Sequence, residues 1–318
     1  MDDFMKAMLY QYPEKIPVRM SLLPGTWMKY RGELNALAKK YPDIIKQYVR
    51  DESNYDELPI KYQKGQWTDE WGCVWSNLND GLSAYVTDHP YPTRESVRGI
   101  KAPERDIGTP HGFMYLRLAD LRGFEELMID FAEEPLELEM LIQVVLEYNV
   151  RQVENMVRNN KDEILWFGDD LGIQHGLAMG AEKWRKYIKP CFSRLYGICH
   201  REGRYVHMHT DGCIHEIIPD LIDCGVNSVN AQFRANGLDN LMRVCKDKIC
   251  LDLDLDRQMF PFCTPQDIDD HVKEVVEKLG SPRGGLSLIA ECAPDVPLGN
   301  IEAICQAMEK YKNYWQRK

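Results

Sequence analysis

The chain lacks any apolar run approaching the roughly 20 residues that a membrane-spanning helix needs. Its first residues, MDDFMKAMLYQYPEK, lack the basic region, apolar core and small-residue cleavage site of a secretory leader. Together these absences predict a cytoplasmic protein with no membrane association. None of the ten cysteines forms a CxxC pair and their spacing is irregular, which argues against a disulfide framework and against a structural zinc knuckle. The thiols are expected to be reduced core residues. Neither GxGxxG after a strand nor GxxxxGK[ST] occurs, so the nucleotide-binding versions of an open α/β sheet lose support. Cations are also scarce: 39 Lys and Arg stand against 50 Asp and Glu, a net charge of −11. Nucleic acid is therefore an unsuitable partner, because phosphate binding needs a positive face.

What is present is an alternation. Ile16 to Leu23 reads as a first strand, ended by Pro24 and Gly25, and a helix runs to about Lys40. The stretch after Pro42 is charged and irregular. Pro135 opens a long helix with Leu138, Leu141, Val145 and Tyr148 on one face. Strands then follow at 164–167, 204–210, 226–231, 249–255 and 286–290, separated by helices at 181–202, 213–223, 238–245 and 265–279, with a last helix at 299–313. Thr264 and Pro265 supply an N-cap and a first-turn proline. Strands alternating with helices mean βαβ units and a parallel sheet. With three possible strands before these five, the expected fold is α/β, a single (β/α)8 TIM barrel. No linker or repeat divides the 318 residues, so one domain over 1–318 is expected, with 1–110 its more irregular part.

In such a barrel the chemistry gathers at the carboxyl ends of the strands. There the sequence places Asp169, Asp170, Gln174 and His175, then His207, His209 and Asp211, then Asn230 and Gln232, then Asp252, Asp254 and Asp256, and finally Glu291 and Cys292. His207 and His209 share a face because strand side chains repeat every two residues. A histidine, a carboxylate and a further ligand from the last strand could hold Zn²⁺ with one position open. The alternative is a core histidine bonded to the neighbouring strand and an aspartate that caps a helix starting near Cys213. Asp252, Asp254 and Asp256 read either as a cation site or as carboxylates solvated or paired with Arg257. The run WTDEWGCVW reads either as an aromatic cluster over one end of the core or as a substrate wall made by Trp67, Trp71 and Trp75.

Six motifs in order carry a family resemblance: GDDLGIQ (Gly168 to Gln174), WRKYIKP (Trp184 to Pro190), HTDG (His209 to Gly212), IIPDLIDCGVN (Ile217 to Asn227), FCTPQD (Phe262 to Asp267) and PDVPLGNI (Pro294 to Ile301). Over roughly residues 110 to 312 the chain resembles the uroporphyrinogen decarboxylase superfamily, which implies a single (β/α)8 barrel. True decarboxylases of that superfamily carry RxAGRY, whose arginines hold the propionates of the tetrapyrrole. Here the similar place reads Leu22-Leu23-Pro24-Gly25-Thr26-Trp27, without either arginine. The chain is closer to the cobalamin-dependent methyltransferase branch, in which a methyl group moves between a small substrate and a corrinoid carried by a separate protein. That resemblance implies a zinc ion held at His209, with Asp211 where the family has a cysteine, and with Cys292 and the adjacent Glu291 near the position of a second cysteine.

The expected activity is therefore metal-assisted methyl transfer from a small methylated compound, an O-methyl and aromatic one fitting best, to a corrinoid protein. Asp170, His207 and Gln174 are the candidate catalytic residues, and Trp67, Trp71, Trp75, Asn230 and Gln232 are candidates for substrate binding. Two other readings stay open. One is a metal-free decarboxylase of a smaller substrate with Asp170 or Asp211 as proton donor, and the other a non-catalytic barrel that binds a corrinoid or tetrapyrrole. A homodimer is compatible with all of them.

Overall fold

The computed structural model of the chain describes residues 1–46 and 54–316, so part of the charged stretch after Pro42 lies outside the described residues. The strands in chain order are β1 (Val18–Leu22), β2 (Gly65–Thr68), β3 (Val74–Asn77), β4 (Tyr85–Asp88), β5 (Ile164–Gly168), β6 (Tyr205–Thr210), β7 (Ser228–Gln232), β8 (Cys250–Asp254) and β9 (Leu286–Cys292). Residues 1–65, 77–84 and 231–318 make one compact unit, and residues 66–76 and 85–230 make a second. Neither unit is a continuous stretch of chain. That is why no linker is legible in the sequence.

In the first unit β1 pairs with β9 and β9 with β8, all parallel, with Met20 opposite Ala290 and Leu253 opposite Leu288. Leu286, Leu288, Ala290 and Cys292 alternate along β9 with Ser287, Ile289 and Glu291, so the strand has two distinct faces. The helix Pro265–Leu279 begins as expected: the Thr264 hydroxyl accepts the Asp267 N–H, and the Asp267 carboxylate answers to the Thr264 N–H.

In the second unit β5 and β6 pair in parallel, with Trp166 opposite His207 and Gly168 opposite His209. The chain enters β7 beside β6, where the Asn227 N–H donates to the Val206 carbonyl at 2.9 Å. The helix Leu136–Asn159 buries Leu138, Leu141, Val145 and Tyr148, the apolar face read from the sequence. The helix expected at 181–202 is two helices, Gly180–Tyr187 and Lys189–Arg201. Pro190, which lacks an N–H to continue the first helix, sits in the first turn of the second. The helix expected from Cys213 is short and starts only at Ile218.

The fold is thus α/β of the TIM-barrel type, with parallel strands and helices in alternation. Six parallel strands are present among the described residues rather than the eight of the expectation. Part of the difference lies in the N-terminal third, where β2, β3 and β4 form a small separate sheet in which β3 and β4 run antiparallel. Its turn is held by Asp69, which accepts the N–H groups of Trp71 and Cys73 and the indole N–H of Trp75. Among the described residues no helix is long and apolar enough to cross a membrane.

Candidate active site

Two loops at the carboxyl ends of β5 and β6 are locked together backbone to backbone. The Asp169 N–H donates to the His209 carbonyl at 3.0 Å, the Gly172 N–H to the Asp211 carbonyl at 3.1 Å, and the Cys213 N–H to the Ile173 carbonyl at 2.8 Å. The Leu171 N–H meets the Thr210 hydroxyl at 2.9 Å. Such an approach requires glycine on both sides. A Cβ on Gly212 would lie 2.2 Å from the carbonyl carbon of Gly172, and Gly212 has a φ of +85° besides. The glycines of GDDLG and HTDG are therefore one structural device.

A third segment joins them. The Gly112 N–H donates to the Gly168 carbonyl at 2.8 Å. Asp169, fully buried, accepts the N–H groups of Tyr115 at 2.5 Å and Leu116 at 2.9 Å at the start of the helix Tyr115–Arg122, satisfying two donors that a helix leaves open. The imidazole of His111 is thereby laid over Gly168, where a Cβ would come within 2.6 Å of Nδ1.

These constraints bring four side chains together. His111 Nε2 lies 3.0 Å from Asp170 Oδ2. His209 Nε2 lies 3.5 Å from Asp170 Oδ1 and 3.6 Å from Asp211 Oδ1. The other ring nitrogen of His209, Nδ1, is 2.5 Å from Asn230 Oδ1 on β7. An amide oxygen there makes Nδ1 the donor, which commits Nε2 to the carboxylates. Donor atoms of His111, Asp170 and His209 all lie within 4.8 Å of one another, a spacing that could hold a metal ion.

The cluster is strongly polarised. Burial works against a charged Asp170, yet the hydrogen bonds from His111 and His209 hold its carboxyl well below the usual carboxylate range. The bond to Asp170 raises His111. Burial disfavours the charged form of His209, but Asp170, Asp211 and Asn230 outweigh it and raise the group to about 9. Asp169 behaves in the opposite way: burial raises its carboxyl to about 7 against the two backbone N–H groups that lower it. The folded state therefore holds the Asp169 proton more tightly than the unfolded chain, whose aspartates titrate near about 3.9. Its contribution to stability falls as pH rises from about 4 to about 7. Melting temperatures should show this: the difference between Asp169→Asn and the parent should move in favour of the variant from pH 5 to pH 8.

The other sequence candidates lie as follows. Asp211 caps no helix, because the helix that follows begins at Ile218, and it faces His209 instead. His207 does share the His209 face, but it is 2% exposed and lies against Trp166, ring centroids 3.9 Å apart and planes inclined at 35°, not a solvent-facing proton donor. Gln174 is exposed in the turn closed by Ile173 and Gly176. The tryptophans of WTDEWGCVW pack against one another and against their neighbours. Trp67 stacks on Trp75 at 6.1 Å, and buried Trp71 meets the edge of Tyr148 at 5.0 Å. Asp69, which ties them together, is paired with buried Arg117 at 2.7 Å.

In the first unit Gln232 ends β7, with its carbonyl accepting the Asn236 side chain. Glu291 is paired with Arg257. Cys292 lies on the opposite face of β9, completely buried, and burial first and then neighbouring Cys305 push its thiol well above the usual range. Successive side chains of a strand point to opposite faces, so Glu291 and Cys292 lie on opposite sides of β9. Asp252, Asp254 and Asp256 face Arg19, Arg257 and Arg234 respectively, so the paired reading of these carboxylates holds.

His111 escaped sequence reasoning. It sits in GTPHGFMY, a turn-rich segment with no periodicity, and the only available signal was a histidine flanked by Pro110 and Gly112.

Parallel β-strands whose carboxyl-end loops draw imidazoles and carboxylates into one polarised cluster define a barrel of the enzymatic kind. The family profile described as uroporphyrinogen decarboxylase (URO-D) matches residues 115–311, and the chain belongs to that family. Among solved structures it is similar to a methyltransferase from Methanosarcina mazei, at 16% identity and a TM-score of 0.62, over 96% of this chain and 97% of that one. A glycosylated endo-β-1,4-xylanase of glycoside hydrolase family 10 from Gloeophyllum trabeum matches at 10% identity and a TM-score of 0.39, over 62% of this chain and 74% of that one. No curated protein matches the sequence.

Proposed function

We propose that the protein moves a methyl group from a small O-methyl compound to the corrinoid of a separate corrinoid protein, assisted by a divalent metal at His209. The observation that carries this reading is the convergence of His111, Asp170 and His209 donor atoms within 4.8 Å, at the histidine where the family resemblance puts zinc. The likeness to a methyltransferase along nearly its whole length supports it. So does the absence of both tetrapyrrole-holding arginines at Leu22 to Trp27.

Two imidazoles and a carboxylate are a donor set that suits zinc, with Asp211 close enough to His209 Nε2 to serve the same position. Asn230 acts as the outer partner that such a histidine needs, fixing its tautomer and ring plane. A bound zinc ion would supply Lewis acidity to the ether oxygen, where charge develops as methyl departs. In the transfer the C–O bond breaks with its electron pair left on oxygen, and methyl passes to the reduced corrinoid of the partner. The chain's own part is to hold the oxygen against the cluster formed by His111, Asp170, His209 and Asp211. The depressed carboxyl of Asp170 makes it a poor proton donor at neutral pH, which weighs against the metal-free decarboxylase.

Metal analysis combined with a transfer assay tests this. The protein should carry about one divalent metal per chain, lose methyl transfer to reduced corrinoid on treatment with a chelator, and regain it with zinc. Full transfer by the metal-free protein would contradict the metal's part. Metal-loaded protein that transfers from no methyl donor would contradict the reaction.

A further inference from the structure

We infer that Gln152, seconded by Asn149 on the same helix face, is a positioning residue that holds the irregular segment 105–113 so that His111 is set against Asp170. This deepens the proposed function, resting on it for what His111 does but not for how His111 is held.

The segment has no ladder of its own, since residues 98–114 form neither helix nor strand. His111 stands between Gly108 and Gly112, whose φ angles are +73° and +78°. Glycines give the chain more freedom than any other residue, so turns built on them need outside partners to stay fixed. Downstream, the Gly112 N–H is tied to the Gly168 carbonyl at 2.8 Å. Upstream, the partners come from the helix Leu136–Asn159.

The buried face of that helix changes character along its length. Leu138, Leu141 and Val145 bury carbon, whereas Tyr148, Asn149 and Gln152 bury polar groups aimed at the segment. The Tyr148 hydroxyl accepts the Ile107 N–H at 3.2 Å and donates to the Arg105 carbonyl at 2.9 Å. Gln152, 2% exposed, uses both ends of its amide: Oε1 accepts the Gly108 N–H at 2.9 Å, and Nε2 donates to Asp106 Oδ1 at 2.7 Å. Asn149, equally buried, donates to the Phe113 carbonyl at 2.7 Å. Asp106 is steadied further by Arg151 Nε at 2.8 Å and Asn155 Nδ2 at 2.9 Å.

A buried amide is costly unless its polar atoms are paired, and packing alone would be met by an apolar side chain of the same length. The partners that Gln152 and Asn149 find lie on both sides of His111, at Gly108 before it and Phe113 after it. Residues 149 and 152 are neighbours on one helix face, so a single rigid element grips both flanks. His111 Nε2 is thereby delivered to Asp170 Oδ2 at 3.0 Å. Outer partners of this kind fix the orientation of a ligand without touching what it binds.

Two measurements on the full chain test this: titration of the His111 imidazole by NMR in the metal-free protein, and zinc affinity by competition with a chelating dye. In the parent the Asp170 bond holds His111 above its ordinary value. Gln152→Met keeps the length of the side chain and loses both amide bonds. Its His111 midpoint should fall towards the ordinary value of about 6.5, and its zinc affinity should fall about tenfold or more. Asp106→Ala, at an exposed position, should move both readings the same way by less. Val145→Ala removes buried carbon from the same helix, so it should lower the melting temperature and leave both readings unchanged. In a His111→Ala background, Gln152→Met should change zinc affinity by less than about twofold, because the group it positions is gone. An unmoved His111 midpoint in Gln152→Met, an equal movement in Val145→Ala, or the same loss of zinc affinity in the His111→Ala background would each overturn the inference. A parent that binds no zinc would remove the metal reading of the site, while a His111 midpoint that depends on Gln152 would still establish the positioning.

Discussion

His209→Ala should lower methyl transfer by about a thousandfold or more, and the purified variant should carry no bound metal. The size follows from the number of constraints that meet on this ring. Its Nδ1 is tied to Asn230 at 2.5 Å, and its Nε2 faces Asp170 and Asp211 at 3.5 and 3.6 Å. Alanine removes a donor and leaves two carboxylates without the cation between them. Asn230→Leu should be milder, costing about 10- to 100-fold in metal affinity, because the ligand survives and only its orientation is lost. Metal stoichiometry and transfer rates for both variants check the ranking. An Asn230 variant as damaged as His209→Ala would mean that the pair acts mainly to hold the fold.

The second large effect concerns the backbone beneath the cluster. Gly212→Ala should destabilise the protein by about 2–4 kcal/mol, the sum of a left-handed φ and an overpacked contact. The φ is +85°, and the new methyl group would stand 2.2 Å from the Gly172 carbonyl carbon, which is backbone and cannot rotate away. Gly176→Ala provides the comparison: its φ is +139°, but nothing lies within 4 Å of the added carbon. It should cost only the conformational strain, about 1 kcal/mol. Thermal melting separates them, with a fall of several degrees for Gly212→Ala. A melting temperature unchanged by Gly212→Ala would show that the two loops are not packed as described.

These loops also mark how much could be read from the sequence. The strands near 164, 204, 226, 249 and 286 were legible because apolar runs of strand length alternate with amphipathic helices. His207 and His209 on one face followed from the strand period alone. Asp211 was ambiguous between cap and site residue, since both uses look alike until the start of the next helix is known. His111 was hidden because its place is set by contacts distant in sequence: the Asp169 carboxylate on the Tyr115 and Leu116 N–H groups, and the empty side of Gly168. The tryptophans of WTDEWGCVW drew attention by their density, yet Asp69 and Arg117 use them to close a turn. Trp166, unremarkable in ILWFG, is half exposed and lies against the His207 ring. Cys292 matched the family pattern by position, but the alternation of β9 turns it away from the face of Glu291.

The most direct test of metal-assisted transfer follows the absorbance of a cobalt(I) corrinoid while the protein is offered a panel of aliphatic and aryl methyl ethers. Conversion to methylcobalt(III) is expected with the metal-loaded parent and at least one ether, and none with His209→Ala or with the chelator-treated protein. An unchanged cobalt(I) spectrum with the metal-loaded parent and every ether, or equal conversion by His209→Ala, would contradict it.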